Sequence, residues 1–72
     1  MPKYASGDAV QWSWGSGTAS GVVRKTFTSR VTRTMKGSEV TRDADDENPA
    51  YEIEQEDGDR VLKSETELKK AS

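Results

Sequence analysis

The stretch that decides the fold lies at residues 51–63 and reads YEIEQEDGDRVLK. Apolar and polar residues alternate on both sides of Asp57-Gly58, which is the pattern of two half-buried strands joined by a turn. An Asp-Gly pair between such segments is typical of a two-residue β-hairpin turn, in which glycine accepts a positive φ. The sequence therefore predicts an antiparallel hairpin at this place.

A two-residue turn also fixes the register of the hairpin, because partners are counted outward from the turn. Ile53 then pairs with Leu62, and Glu52 pairs with Lys63. The apolar pair would lie on the core face and the charged pair on the solvent face, so the turn and the pattern agree.

Three more strands are predicted upstream of this hairpin. In residues 8–14 the apolar residues alternate with polar ones, which indicates a half-buried strand. Residues 19–34 are rich in Val, Thr and Phe, but they exceed a usual strand of about 3–10 residues, so we expect a bend or break at residues 28–30. A tight turn at Lys36-Gly37 returns the chain through residues 39–42.

The end of the chain carries a helix signal. Ser64 and Glu67 form the Ser-x-x-Glu pattern of a capping box, which predicts a short C-terminal helix that docks Leu68 on the sheet. Five short antiparallel strands with tight turns and one terminal helix are typical of a small, strongly bent barrel. We therefore predict an all-β, five-stranded antiparallel barrel with a short C-terminal helix, as one domain over residues 4–70.

Composition excludes several classes of function. The 72 residues allow one small domain, with 31% apolar and 33% charged residues. Cys and His are absent, so disulfides, thiolate chemistry and the commonest general base and metal ligand are excluded. We predict no enzyme, no catalytic residues, no cofactor and no metal. No apolar stretch approaches the ~20 residues of a membrane span, and we expect a soluble, cytoplasmic monomer with no membrane partner.

Charge is distributed unevenly along the chain. Residues 1–42 carry seven basic and two acidic residues, whereas residues 43–72 carry four basic and eleven acidic ones. The first half could present a phosphate-binding stripe, as in a nucleic-acid-binding accessory protein. The alternative, which we favour, is mutual compensation across strands, because the net charge is −2. The basic stripe consists of Arg24, Lys25, Arg30, Arg33, Lys36 and Arg42.

Several segments, in this order, match a known pattern. They are Gly7-Asp8-x-Val10-x-Trp12, Gly17-Thr18-Ala19-x-Gly21-x-Val23, Val31-Thr32-Arg33-Thr34, Lys36-Gly37-Ser38-Glu39-Val40, Asn48-Pro49-Ala50-Tyr51-x-Ile53 and Val61-Leu62-Lys63. Together they resemble the hypervirulence-associated protein Tudor-domain family, which comprises small proteins of bacteria and fungi. The resemblance extends from about Tyr4 to Lys70. It implies an SH3-like, Tudor-like barrel with an interaction role, and it supplies no catalytic residues.

Aromatic residues are the candidate ligand-binding residues of such a module. Trp12, Trp14 and Tyr51 could line a binding face for a protein or peptide, or a cage that holds a methylated ammonium by cation–π attraction. The alternative for Trp12 and Tyr51 is a purely structural place in the core, because so few apolar residues are available. Trp14 differs, since it ends its strand beside a Gly-Ser loop that offers no bulk to cover it.

The acidic segment at residues 43–48 has a loose resemblance to a calcium loop. Its carboxylates could offer oxygen ligands, but Asn48 stands where such a loop needs glycine, and Pro49 stiffens the chain directly after it. We interpret the segment as a solvated loop.

Overall fold

Residues 3–35 and 37–71 are described by a computed structural model, and they form an all-β, antiparallel fold in which 59% of the residues lie in strands. This part of the chain contains seven strands and one short 3₁₀ turn. They are β1 (Ala9–Trp14), β2 (Gly17–Phe27), β3 (Val31–Met35), β4 (Ser38–Arg42), β5 (Ala50–Gln55), β6 (Arg60–Ser64), the 3₁₀ turn (Glu65–Glu67) and β7 (Lys69–Lys70). The predicted all-β class is confirmed.

The strands form two sheets rather than one closed barrel. Five of them hydrogen-bond in the order β6-β5-β2-β1-β7, and β3 and β4 form a separate two-stranded hairpin. The predicted break at residues 28–30 separates β2 from β3 and directs the chain out of the large sheet. Within the described residues the hairpin packs on the large sheet through side chains, without a ladder between them. The predicted closure into a barrel is therefore wrong.

The predicted C-terminal helix is also wrong. Residues 65–67 make a single 3₁₀ turn, in which the Ser64 N–H donates to Glu67 Oε1 (2.9 Å) and the Leu68 N–H donates to the Glu65 carbonyl oxygen (3.1 Å). One turn does not propagate by itself, and the chain must place Leu68 in the core, where 6% of it is exposed. The next two residues then pair with β1 as β7. The predicted docking of Leu68 is confirmed.

The register of the β5–β6 hairpin differs from the prediction by one residue. Ile53 pairs with Val61, and Glu52 pairs with Leu62. Both Ile53 and Leu62 are nevertheless buried, because this part of the large sheet is covered on both faces. The predicted pairing of Glu52 with Lys63 on the solvent face is therefore wrong, and Glu52 lies on a buried face instead.

The shift arises in the turn, which contains three residues, 56–58, instead of two. The Gly58 N–H donates to the Gln55 carbonyl oxygen (2.9 Å), and the Gln55 N–H donates to the Asp59 carbonyl oxygen (2.7 Å). Asp57 Oδ1 accepts a further hydrogen bond from the Asp59 N–H (3.0 Å), and Gly58 has a φ of 90°. A three-residue hairpin loop that ends in a left-handed glycine is a common alternative to the two-residue turn. The glycine has the predicted conformation, but at the third loop position.

Alternate residues of β5 enter two different core clusters. Tyr51 and Ile53 belong to the first cluster, and Ala50 belongs to the second cluster, on the opposite face of the strand. The hairpin of β3 and β4 covers this second face. The buried residues of the first cluster are Tyr4, Val10, Trp12, Val23, Tyr51, Ile53 and Leu68, and those of the second are Val31, Ala50 and Leu62.

A buried carboxylate joins the hairpin to the large sheet. Glu52 is 7% exposed, and its oxygens lie 2.7 Å from Arg60 Nη1 on β6 and 3.4 Å from Arg33 Nε on β3. The Arg33 guanidinium also lies 4.8 Å from the centre of the Phe27 ring, within cation–π distance. The two arginines compensate the charge that burial would otherwise make costly. This contact holds the second face of β5 against the β3–β4 hairpin.

Candidate functional site

A groove of about 420 Å³ lies between the large sheet and the β3–β4 hairpin, where the two core clusters meet. One side is formed by β1, β2 and β6, and the other side is formed by the hairpin. Its lining residues are Trp12, Trp14, Ala19, Met35, Val40, Arg42, Gln55, Val61, Leu62 and Lys63. Most of these side chains are apolar, so the groove suits an apolar group of a ligand. We refer to it below as the apolar groove.

Trp14 lies at the edge of the apolar groove and is the large apolar side chain that the described residues leave exposed, at 72%. It is the last residue of β1 and pairs with Gly17, which has no side chain to cover the indole. Trp12 lies two residues earlier opposite Ala19 and is only 4% exposed. The structure therefore brings both tryptophans to one groove, but only Trp14 offers its ring to a ligand.

Tyr51 lies away from the apolar groove, fully buried in the first core cluster. Its ring packs edge-on against Tyr4, with 5.5 Å between the ring centres. The Tyr51 hydroxyl accepts hydrogen bonds from the backbone N–H groups of Lys3 (3.1 Å) and Tyr4 (3.3 Å), and donates to Glu65 Oε1 (2.8 Å). Burial, together with the hydrogen bond to Glu65, raises the pKa of this phenol. Tyr51 thus anchors the first described residues, and the three predicted aromatics do not form a cage.

Two cations and one shared carboxylate lie at the end of the groove where β4 and β6 meet. Arg42 Nε lies 3.0 Å from Glu67 Oε1, and Lys63 Nζ lies 3.8 Å from Glu67 Oε2. Lys63 Nζ also lies 6.0 Å from the centre of the Trp12 ring. Burial by itself would raise the pKa of Glu67, but hydrogen bonds from Ser64 and Arg42 and the two nearby positive charges outweigh it, and the net pKa is lowered. Glu67 is therefore ionised at neutral pH.

The arginines of the basic stripe are paired with carboxylates. Each of the four arginines of the stripe lies within 4 Å of an acidic side chain, because the acidic second half of the chain interleaves with the first. The pairs are Arg24–Glu54 (2.9 Å), Arg30–Asp43 (3.5 Å), Arg33–Glu52 (3.4 Å) and Arg42–Glu67 (3.0 Å). Lys25 is exposed and has no ion pair among the described residues, and Lys36 lies outside them. These contacts agree with the favoured interpretation, in which the basic charges of the first half are compensated by carboxylates of the second half.

The acidic segment at residues 43–49 is organised by its own hydrogen bonds. Asp45 Oδ1 accepts bonds from the backbone N–H groups of Glu47 (2.9 Å) and Asn48 (2.8 Å). Across residues 3–35 and 37–71, no three carboxylates come together in an arrangement that could hold a metal ion. The same residues contain no helix that is long and apolar enough to cross a membrane.

Sequence reasoning named three of the ten lining residues, Trp12, Trp14 and Arg42, as candidate site residues and missed the other seven. Met35 and Val40 contribute from the hairpin, and Val61 and Lys63 contribute from β6. Alternation along β3, β4 and β6 indicates which residues share a face, but it does not indicate that these faces meet across a gap. The signals in the sequence were the candidate aromatics Trp12 and Trp14 and the place of Arg42 in the basic stripe.

Comparison with known proteins places the chain in a family. A family model described as "Hypervirulence associated proteins TUDOR domain" matches residues 7–68. The chain belongs to this family. The matched segment of the hypervirulence-associated Tudor domain contains every residue that lines the apolar groove. Neither the search of curated proteins nor the search of solved structures returned a match.

Proposed function

We propose that this chain is a non-catalytic, monomeric Tudor-like module over residues 4–70, which binds a protein or peptide segment in the apolar groove in the cytoplasm. Exposure of Trp14 at the edge of the groove is the observation that carries the proposal. An exposed indole beside an apolar groove is typical of a contact site, because tryptophan contributes large binding energies when a partner covers it. Membership of a Tudor family agrees with a binding role.

Nucleic acid is the less supported partner. A phosphate-binding surface needs cations that are free to replace the counterions of the polyanion. Among the members of the stripe that the structure describes, the arginines already face carboxylates, and only Lys25 is both exposed and without an ion pair. A protein or peptide needs only the apolar surface and one accessible ring.

The experiment is a selection of random displayed peptides against the folded domain, followed by affinity measurements with selected peptides. Trp14→Ala should weaken binding at least about tenfold, because loss of an interface tryptophan typically costs about 2 kcal/mol or more. Val22→Ala is the matched control, because Val22 is a partly exposed apolar residue of β2 that lies outside the apolar groove. Selected peptides whose binding is insensitive to Trp14→Ala, or no selected peptide at all, would contradict the proposal.

A further inference from the structure

The charged side chains that line the apolar groove are all cationic. Arg42 and Lys63 line it, and none of the carboxylates in residues 3–35 and 37–71 does. This is notable in a chain whose net charge is −2 and whose second half is strongly acidic. Glu67 contacts both cations from outside the lining, but one negative charge compensates only one of the two positive charges. The group formed by Arg42, Lys63 and Glu67 therefore keeps one excess positive charge.

Lys63 is the cation that remains available to a ligand. Its ammonium lies 3.8 Å from Glu67 Oε2, whereas Arg42 makes the shorter, hydrogen-bonded contact of 3.0 Å with the other oxygen. The Lys63 side chain is 22% exposed, and its ammonium lies over Trp12. A cation beside apolar groups interacts more strongly with an incoming anion than a fully hydrated cation does.

The same arrangement disfavours a cationic ligand. Recognition of a methylated ammonium uses several aromatic faces around the cation. Here Trp14 is the one accessible ring at the groove, since Trp12 is 4% exposed and Tyr51 lies elsewhere. A ligand cation would also meet the positive charges of Arg42 and Lys63. Charge complementarity thus points to a ligand of the opposite sign.

We infer that the occupant of the apolar groove is an acidic-apolar protein segment, in which an aromatic or aliphatic side chain packs against Trp14 and Met35 while a neighbouring Asp or Glu contacts Lys63. This inference rests on the proposed function and specifies the chemistry of the ligand. Single-stranded nucleic acid also combines rings with negative charge. It is less favoured because Met35, Val40 and Val61 make the groove aliphatic, and because Arg42 at the groove is already paired with Glu67.

The test first compares the composition of the displayed peptides before and after selection. It then measures how the affinity depends on the peptide's acidic residue and on Lys63, separately and together. Selected peptides should be enriched in Asp or Glu next to an aromatic or aliphatic residue, and depleted in Lys and Arg. Changing that acid of the peptide to its amide should weaken binding to the unaltered domain about fivefold or more. Lys63→Gln should weaken binding of the acidic peptide by a similar factor. It should leave binding of the amide version almost unchanged, because the two changes remove the same contact.

Lys25→Gln is the matched control, since it removes the same charge from an exposed site outside the groove. It should change affinity less than twofold. The peptide-side change is made on the unaltered domain, so it decides the question even if Lys63→Gln destabilises the fold.

Three outcomes would overturn the inference. Neutral or basic peptides that depend on Trp14 would contradict the ligand charge and leave the proposed function in place. Displacement of a Trp14-dependent peptide by oligothymidylate, with an affinity that falls steeply as salt rises, would indicate nucleic acid instead. Absence of any Trp14-dependent peptide would overturn the proposed function together with the inference.

Discussion

Trp12 and Trp14 project from the same face of β1 and line the same groove, yet 4% of Trp12 and 72% of Trp14 is exposed. The difference comes from their neighbours. Trp12 packs in the first core cluster, opposite Ala19, with the Lys63 ammonium over its ring. Trp14 ends the strand opposite Gly17, where no side chain covers it. One strand thus supplies both a core residue and a candidate contact residue.

This difference in exposure predicts that the same change, tryptophan to alanine, costs unequal stability at the two positions. Trp12→Ala should cost about 3–5 kcal/mol of the free energy of unfolding, because it leaves a large cavity in a small core. Trp14→Ala should cost less than about 1 kcal/mol, because most of the indole is already in water. Urea unfolding of the two variants measures both values. Equal losses would show that Trp14 is a core residue and would remove the proposed contact surface.

The conformation of Gly58 makes the β5–β6 turn sensitive to substitution. Gly58 has a φ of 90°, which a β-branched residue adopts only with strain, so Gly58→Val should destabilise the domain by about 1–2 kcal/mol. Gly17→Val is the control, because Gly17 has no positive φ and the nearest atom to an added Cβ is 3.9 Å away. Thermal unfolding followed by circular dichroism should show a lower Tm for the first variant alone. An unchanged Tm would contradict the turn conformation.

Glu52 is predicted to stabilise the attachment of the β3–β4 hairpin. Glu52→Gln should cost about 1–2 kcal/mol, since it removes the charge that faces Arg33 and Arg60, while those half-exposed arginines remain hydrated. Glu56→Gln removes the same charge from an exposed loop residue and should change stability by less than about 0.5 kcal/mol. Urea unfolding at fixed salt compares the two. Similar values for both variants would mean that Glu52 makes no net contribution.

Glu67 should give the domain a stability that depends on pH. Its pKa in the folded state lies below the ordinary value of 4.5, so the folded state favours the carboxylate. The resulting stabilisation is fully present above the ordinary pKa and is lost as the pH falls through the lowered folded-state pKa. Glu67→Gln should therefore destabilise the domain by up to about 1 kcal/mol at neutral pH and by almost nothing in strong acid.

Urea unfolding of wild type and Glu67→Gln at neutral pH and well below pH 4.5 measures this difference. The exposed Glu56→Gln variant serves again as the control. Its difference in stability from wild type should stay small and should not change with pH. A difference between wild type and Glu67→Gln that is constant with pH would contradict the assignment.

Local patterns were good predictors where a structure depends on neighbouring residues. Alternation located β1, β5 and β6, and glycine marked turns with a positive φ at Gly37 and Gly58. The length of the β5–β6 loop was not predictable in the same way, because an Asp-Gly pair suits both a two-residue and a three-residue turn. That one-residue difference paired Glu52 with Leu62 instead of Lys63, and the β3–β4 hairpin buries the face that these two residues share.

The sequence by itself determined the all-β class, the family, the break between β2 and β3, the burial of Leu68 and the exposure of Trp14. These features depend on residue types and their spacing within a few positions. Only the tertiary structure decided that β3 and β4 leave the large sheet, that residues 65–67 make one turn and then a strand, and that Met35 and Lys63 share a groove with Trp14. Such features depend on packing between segments distant in the chain, and that packing is set by side-chain burial and ion pairing across the fold rather than by local conformational preference.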